Sequence, residues 1–161
     1  MTEQPFKTKR FSKYKTTAKR SAVMSKITSK NTKPEVVVRK LLFNAGYRYR
    51  LHKKEIKGKP DLFLRKFNTA IFVHGCFWHH HNCHIGHLPK SNTAFWADKI
   101  KRNLVRDKNN IAELQREGYR VLVIWECAIT GKNKLETNYL LEKITHFLKG
   151  SENMEAITGE K

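Results

Sequence analysis

The chain has 161 residues, 39% of them hydrophobic and 29% charged, which suits one compact domain with tails. Its 33 Lys and Arg against 14 Asp and Glu leave a formal charge of +19, a balance that favours a polyanionic partner. No run of about 18 apolar residues could span a bilayer, and the polar, basic N-terminus lacks a signal-peptide core. A cytosolic place is expected, where three cysteines are better read as thiols or metal ligands than as a disulfide framework.

Residues 1–20 hold seven Lys or Arg and one Glu with no apolar period, and read as a flexible basic arm that neutralises phosphates or simply solubilises the chain. In "NTKPEVVVRKLLFNAG", Asn31 or Thr32 can cap a helix, Pro34 suits its first turn, Val38, Leu41, Leu42 and Ala45 form one apolar face, and Gly46 ends it. "YRYRLH" alternates like an exposed strand. "KGKPDLFLRK" and "TAIFVHG" read as a hairpin joined at "FN". A long helix or helix pair is expected over residues 93–117, closed by Gly118. "YRVLVIWEC" reads as a strand covered on both faces, and "KLETNYLLEKITHFLKG" as an amphipathic helix. Residues 151–161 read as a polar, frayed C-terminal tail. The core, residues 21–150, is therefore expected to be α/β, a mixed sheet flanked by helices.

Along the long helix the apolar face runs through Trp96, Ile100, Leu104, Ile111 and Leu114, with Asp107 filling a gap. A buried carboxylate needs a partner. Arg106 and Lys108 are adjacent in sequence, but neighbours in a helix point elsewhere. A metal is the sharper answer. His81 and Cys83 follow a glycine turn, Cys127 ends the last strand, and with Asp107 they make a suitable tetrahedral zinc set with no open position.

A second group is Asp61 at a strand start with His74 and His79 about the turn after the paired strand. In so basic a chain this suggests phosphodiester hydrolysis with Mg²⁺ on Asp61 and histidine handling protons. Pro60-Asp61 also reads as a plain turn, and the helix dipole alone accounts for Glu35 at a helix N-terminus. A third group is aromatic. Phe77 and Trp78 at a loop tip are costly to expose unless a partner covers them, and apolar wedges of this kind unstack duplexes. Trp96 suits either that use or ordinary core packing.

The strings "NTKPE", "GKPDL", "GCFWHHHNC", "FW..KI..N..RD" and "WEC", in that order, resemble the very short patch repair (Vsr) family of bacterial DNA mismatch endonucleases over roughly residues 20–150. The resemblance implies a restriction-endonuclease-like fold with a structural zinc site. It also implies Mg²⁺-dependent nicking of duplex DNA on the 5′ side of the thymine in a T:G mismatch left by 5-methylcytosine deamination. By the same resemblance Asp61 and the backbone carbonyl of Val73 hold Mg²⁺, His79 is the general base, His74 supports it, and Glu35 orders the metal-bound water. His81, Cys83, Asp107 and Cys127 hold Zn²⁺, while Phe77, Trp78 and Trp96 intercalate. Met24 enters the minor groove, and Lys99 and Asn103 lie near the mismatched bases. Val73 stands where a threonine occurs in the family's best-known pattern. The implied partners are mismatched duplex DNA and mismatch-repair proteins, with the bacterial nucleoid as the place of action. A single active site suffices for one nick, so a monomer is expected. A DNA-binding module without catalysis and an RNA-binding protein remain the other classes that this basic surface with stacking rings would serve.

Overall fold

A computed structural model describes residues 17–28 and 30–160. Most of the basic arm lies outside the described residues, and its last part is already helical in α1 (Ala18–Ser25). Helix α2 (Lys33–Asn44) starts where the sequence places it. Thr32 is the N-cap, its Oγ accepting from the Glu35 N–H at 3.5 Å while its hydroxyl donates to Glu35 Oε1 at 2.9 Å. This is a variant of the capping box, in which the acid accepts from the Thr32 hydroxyl and the Asn31 N–H rather than from the Thr32 N–H, and it fixes the rotamer of a glutamate that is only 3% exposed.

Five strands form one mixed sheet, ordered β1 (Arg50–Leu51), β2 (Leu62–Leu64), β3 (Thr69–His74), β4 (Arg120–Trp125) and β5 (Met154–Ile157). The expected hairpin is β2–β3, antiparallel, with Asn68 in the left-handed region (φ 48°) at its turn. β4 pairs parallel to β3, which requires a crossover, and α3 (Thr93–Arg116) lies in that connection. Helix α4 (Thr137–Lys149) then leads to β5, parallel to β4.

Side-chain alternation divides the core in two. Leu62, Leu64, Ile71, Val73, Leu122, Ile124 and Ile157 pack with Val38 and Leu42 of α2 and with Leu140, Ile144, Phe147 and Leu148 of α4. Phe63, Ala70, Phe72, Val121 and Val123 pack on the other face with Ile56 and with Leu114 of α3.

Three expectations are corrected here. Only Arg50 and Leu51 of "YRYRLH" pair as strand. Leu104 is 42% exposed, and the inward turn of α3 is instead polar, with Asn103, Asp107 and Asn110 partly buried between Ile100 and Leu114. The tail 151–161 is not frayed, since residues 154–157 form β5 and Ile157 is 2% exposed in the core. A short edge strand that buries one side chain and takes its hydrogen bonds from a neighbour leaves almost no period to read. Ile157→Ala should therefore lower the unfolding free energy by roughly 2–4 kcal/mol. Met154→Ala on the same strand should cost less than about 0.5 kcal/mol, both read by urea denaturation.

Candidate active site and metal cluster

The parallel register of β3 and β4 pairs His74 with Trp125 at their C-terminal ends. Two residues beyond each lie Cys76 and Cys127, and the Cys127 N–H donates to Cys76 Sγ at 3.3 Å. The loop between β3 and α3 folds back over this edge. His81 N–H bonds Cys76 O at 2.9 Å, and His81 Nδ1 comes within 3.7 Å of Cys76 Sγ and 3.5 Å of Cys127 Sγ. A side chain at Gly86 would put its Cβ 1.9 Å from the His81 carbonyl, so only glycine lets the loop close. Cys83 completes the group, and ligand atoms of Cys76, His81, Cys83 and Cys127 all lie within 4.8 Å of one another. Burial pushes the Cys76 and Cys127 thiols up, the cost a bound cation would remove by taking them as thiolates. Three thiolates and an imidazole suit a closed tetrahedral site.

Asp107 is not part of this cluster, which corrects its place as a fourth ligand to His81, Cys83 and Cys127; Cys76 takes that place. Asp107 Oδ2 instead accepts a hydrogen bond from His79 Nδ1, and Arg106 Nη2 reaches back to Oδ1 at 3.3 Å. The sequence-adjacent arginine dismissed as a partner is thus a second one, since its long side chain curls back. Burial alone would raise the Asp107 pKa. The His79 hydrogen bond, with the charges of His79, His74 and Arg106, outweighs it and holds the carboxyl below the ordinary range. An ionised Asp107 accepts from Nδ1–H, which leaves His79 Nε2 with a lone pair.

His74 stacks on His79, ring centroids 3.9 Å apart and planes 5° from parallel, and stands edge-on to Trp125 at 5.3 Å. Burial, then the His79 and Arg106 charges, lower its pKa to about 3 against the opposing pull of Asp107, so the ring is neutral. The ligand atoms of His74, His79 and Asp107 are close enough to share an ion. Ring lone pairs lie in the ring plane, however, and two parallel stacked planes do not converge on one ion. The arrangement suits proton handling.

Asp61 lies one residue before β2, close enough to Glu35, Arg39 and His79 for their charges to act on it. Its Oδ2 accepts the Val73 N–H at 2.8 Å. Burial raises its pKa to about 6, against the Val73 bond and with the Glu35 charge adding to the rise. A buried carboxylate with one backbone donor, in a strongly basic chain, fits a divalent cation. The Val73 side chain lies in the α2–α4 core, so only its backbone meets the Asp61 carboxylate. Glu35 is fully engaged: Oε1 with Thr32, and Oε2 with the Asn31 N–H at 2.9 Å and Arg39 Nη2 at 3.0 Å. Arg39 Nη2 also meets His52 Nε2 at 3.0 Å, a contact the sequence reading missed. Burial and the Arg39 charge lower the His52 pKa.

Phe77, Trp78 and Trp96 form one aromatic cluster, with Phe77 centroids 5.0 Å from Trp78 and 4.9 Å from Trp96. Trp96 is 4% exposed and lies beneath the other two, so Phe77 and Trp78 are the rings at the surface. Lys99 Nζ sits 4.8 Å over Trp78, and Asn103 Nδ2 donates to Trp78 O at 2.9 Å. Met24, half-buried on α1, makes no contact that ties it to this site.

A signal for Cys76 was in the sequence: with only three cysteines in the chain, the third is a better companion for two thiolates than a carboxylate is. The His79–Asp107 bond had none, because a helix position facing a loop is set by packing.

The model of the family described as DNA mismatch endonuclease Vsr matches residues 12–85. The chain is 52% identical over 134 residues to the type II nicking enzyme V.NmeAIP of Neisseria meningitidis serogroup A, covering 83% of this chain and 94% of that one. It is 47% identical to the type II nicking enzyme V.XorIIP of Xanthomonas oryzae pv. oryzae, covering 73% and 87%. It is 38% identical over 133 residues to the DNA mismatch endonuclease Vsr of Escherichia coli K12, covering 83% and 85%. Among solved structures, the catalytic domain of homing endonuclease I-Bth0305I is similar with a TM-score of 0.48 and 23% identity, covering 73% of this chain and 94% of that one. The chain is thus a DNA endonuclease, a hydrolase with DNA as its substrate. It belongs to the Vsr family. Among the described residues no helix is long and apolar enough to cross a membrane.

The two clusters make separable predictions. The purified protein is expected to carry a tightly held metal that Cys76→Ser releases and Asp107→Asn keeps; metal analysis by mass spectrometry reads all three. Asp61 makes a pH prediction. Its folded pKa of about 6 is above the ordinary aspartate value of 3.8, so its contribution is fully present below about pH 4 and is lost as pH rises through 6. Without added Mg²⁺, Asp61→Asn should therefore be more stable than the wild type at pH 7.5, by roughly 1–3 kcal/mol once partial exposure is allowed for. The difference should close near pH 4, as measured by urea denaturation at the two pH values.

Proposed function

We propose that this chain nicks duplex DNA on the 5′ side of the thymine in T:G mismatches arising from 5-methylcytosine deamination, initiating very short patch repair on a restriction-endonuclease-like fold. The observation that carries the chemistry is the His79–Asp107 bond, with His79 stacked on neutral His74 and near enough to Asp61 for its charge to act there. The relatives named as nicking enzymes and as a mismatch endonuclease support cleavage of one strand at a mismatch.

Asp61 and the Val73 carbonyl would hold Mg²⁺, which when bound stabilises charge developing on the phosphate and on the leaving oxygen. His79 takes the proton of the attacking water at Nε2. Asp107 holds the imidazole in the required tautomer and stabilises the imidazolium that forms. His74, neutral and buried beneath, keeps the His79 ring in plane and offers a ring N–H to a phosphate oxygen. Glu35, fixed by its capping box and by Arg39, orients water. The products are a 3′-hydroxyl and a 5′-phosphate on the thymine.

Cys76, His81, Cys83 and Cys127 would hold Zn²⁺, a structural ion that stiffens the loop bearing Phe77 and Trp78. These two rings wedge into the duplex, where a mismatched step is cheaper to unstack. Trp96 backs them, entering the stack only if the cluster opens. Lys99 and Asn103 lie beside Trp78, within reach of the mismatched bases, and Met24 approaches from the minor groove. Residues 1–20 neutralise phosphates. The protein acts as a monomer in the bacterial cytoplasm, on the nucleoid, and mismatch-repair proteins are its further partners.

The test is a nicking assay on T:G, T:A and C:G duplexes. Mg²⁺-dependent nicking on T:G alone, with a 5′-phosphate on the thymine, is expected. His79→Ala should slow it by roughly 10²–10⁴-fold with mismatch binding retained. Cleavage of matched duplex at the same rate, or a 3′-phosphate product, would refute the proposal.

A further inference from the structure

Beyond Leu51 opposite Leu62, the antiparallel register of β1 and β2 brings His52 opposite Asp61, and the His52 N–H meets the Asp61 carbonyl at 3.4 Å. His52 has a left-handed backbone (φ 44°), which an L side chain rarely adopts. Such strain persists only where the surroundings over-determine it, and it concentrates at functional sites. Here it turns the imidazole between Arg39 and Asp61.

The tautomer follows from the partners. A guanidinium has no acceptor, so the 3.0 Å contact between Arg39 Nη2 and His52 Nε2 requires a lone pair on Nε2. The ring proton is then on Nδ1, which faces Asp61 Oδ1 at 4.0 Å, the carboxylate oxygen not taken by the Val73 N–H. The same Nη2 bonds Glu35 Oε2 at 3.0 Å. Arg39 itself is held by Asn31 Oδ1 at 2.7 Å, and its Nε is buried with no partner among the described residues. An arginine kept in place at the cost of an unpaired donor is doing more than filling space.

We propose that His52 is a positioning residue: as the Nδ1–H tautomer fixed by Arg39, it presents its N–H to Asp61 and joins the two carboxylates, Glu35 and Asp61, into one unit. The step from 4.0 Å to a direct or water-bridged hydrogen bond is a small movement of one ring. The unit spans two elements, the N-terminus of α2 and the start of β2. It rests on the reading of Asp61 as the metal-binding carboxylate.

Full-length wild type, His52→Gln, His52→Leu, His52→Asn and Asp61→Asn are compared. Gln can accept from Arg39 through its oxygen and donate to Asp61 through its nitrogen. Leu is of similar size and does neither, and both carry the left-handed backbone cost. Asn tolerates that backbone but is too short to bridge, and it stands in as the loss variant if the Leu protein does not fold. Two readouts are taken: Mn²⁺ bound to the protein–T:G duplex mixture, followed by electron paramagnetic resonance, and the Mg²⁺ dependence of single-turnover nicking. His52→Leu and His52→Asn should weaken metal binding by about tenfold or more, as loss of a residue behind a ligand does. They should raise the Mg²⁺ needed for half-maximal nicking in parallel, with duplex binding kept and Gln restoring most of the loss. Wild-type metal affinity in the loss variants, or a Gln variant as weak as Leu, overturns the role of His52 alone. Wild-type Mn²⁺ binding by Asp61→Asn overturns the reading of Asp61 beneath it.

Discussion

Parallel pairing of β3 with β4 is the constraint on which both clusters depend. Antiparallel neighbours would send their ends to opposite edges of the sheet. Parallel ones deliver His74 and Trp125 side by side, and with them Cys76 and Cys127 two residues on. One edge therefore receives the histidine that stacks on His79 and two thiols of the Cys/His cluster. His81 belongs to both neighbourhoods, near the thiols through Nδ1 and stacked on Trp125 at 4.4 Å. The loop that carries Phe77 and Trp78 has its start on β3 and its middle on this cluster, so holding the thiols also holds the rings. The C-terminal segment closes the arrangement, because the Gly159 N–H donates to Cys127 Sγ at 3.3 Å and a Cβ there would lie 2.3 Å from the Cys127 carbonyl.

The charge distribution has two scales. Over the surface, excess Lys and Arg produce the long-range field expected of a protein that finds DNA. Within the site the sign reverses, with Glu35, Asp61 and Asp107 grouped among histidines. Each acid is treated differently. Asp107 is stabilised as an anion by His79, Glu35 is saturated with donors, and Asp61 has one backbone donor and substantial burial, which lifts its pKa to about 6. That difference separates an acid held as an anion by a histidine from an acid buried with little to offset its charge.

The aromatic group has a comparable economy. Large rings at a loop tip expose apolar surface, and the described structure limits this by packing Phe77 and Trp78 over Trp96, with Lys99 across the faces of Trp78 and Trp96. The rings are therefore preassembled on α3, and Asn103 fixes the backbone of Trp78 to the same helix. Asp107 is one turn further along and reaches His79 in the same loop, so α3 supports the aromatic rings and the His79 imidazole together.

What the sequence settled by itself were matters of local chemistry and period. Thr32, Pro34 and Glu35 announced a capped helix, "TAIFVHG" and "YRVLVIWEC" announced buried strands, and the clustering of His, Cys, Phe and Trp after one strand announced the site. The motif strings carried the family, since they fix residue types at fixed spacing. Tertiary structure alone decided which groups meet. Asp107 looked like a metal ligand because a buried acid needs a partner and the sequence names no direction; α3 docking gave it His79 and left the fourth thiol-cluster position to Cys76. Likewise β5 has too few buried residues to show a period, and the Arg39–His52–Asp61 alignment depends on strand register and a left-handed backbone. Capping and patterning act over a few residues and are written along the chain, whereas partners across a sheet edge are set by how whole elements pack.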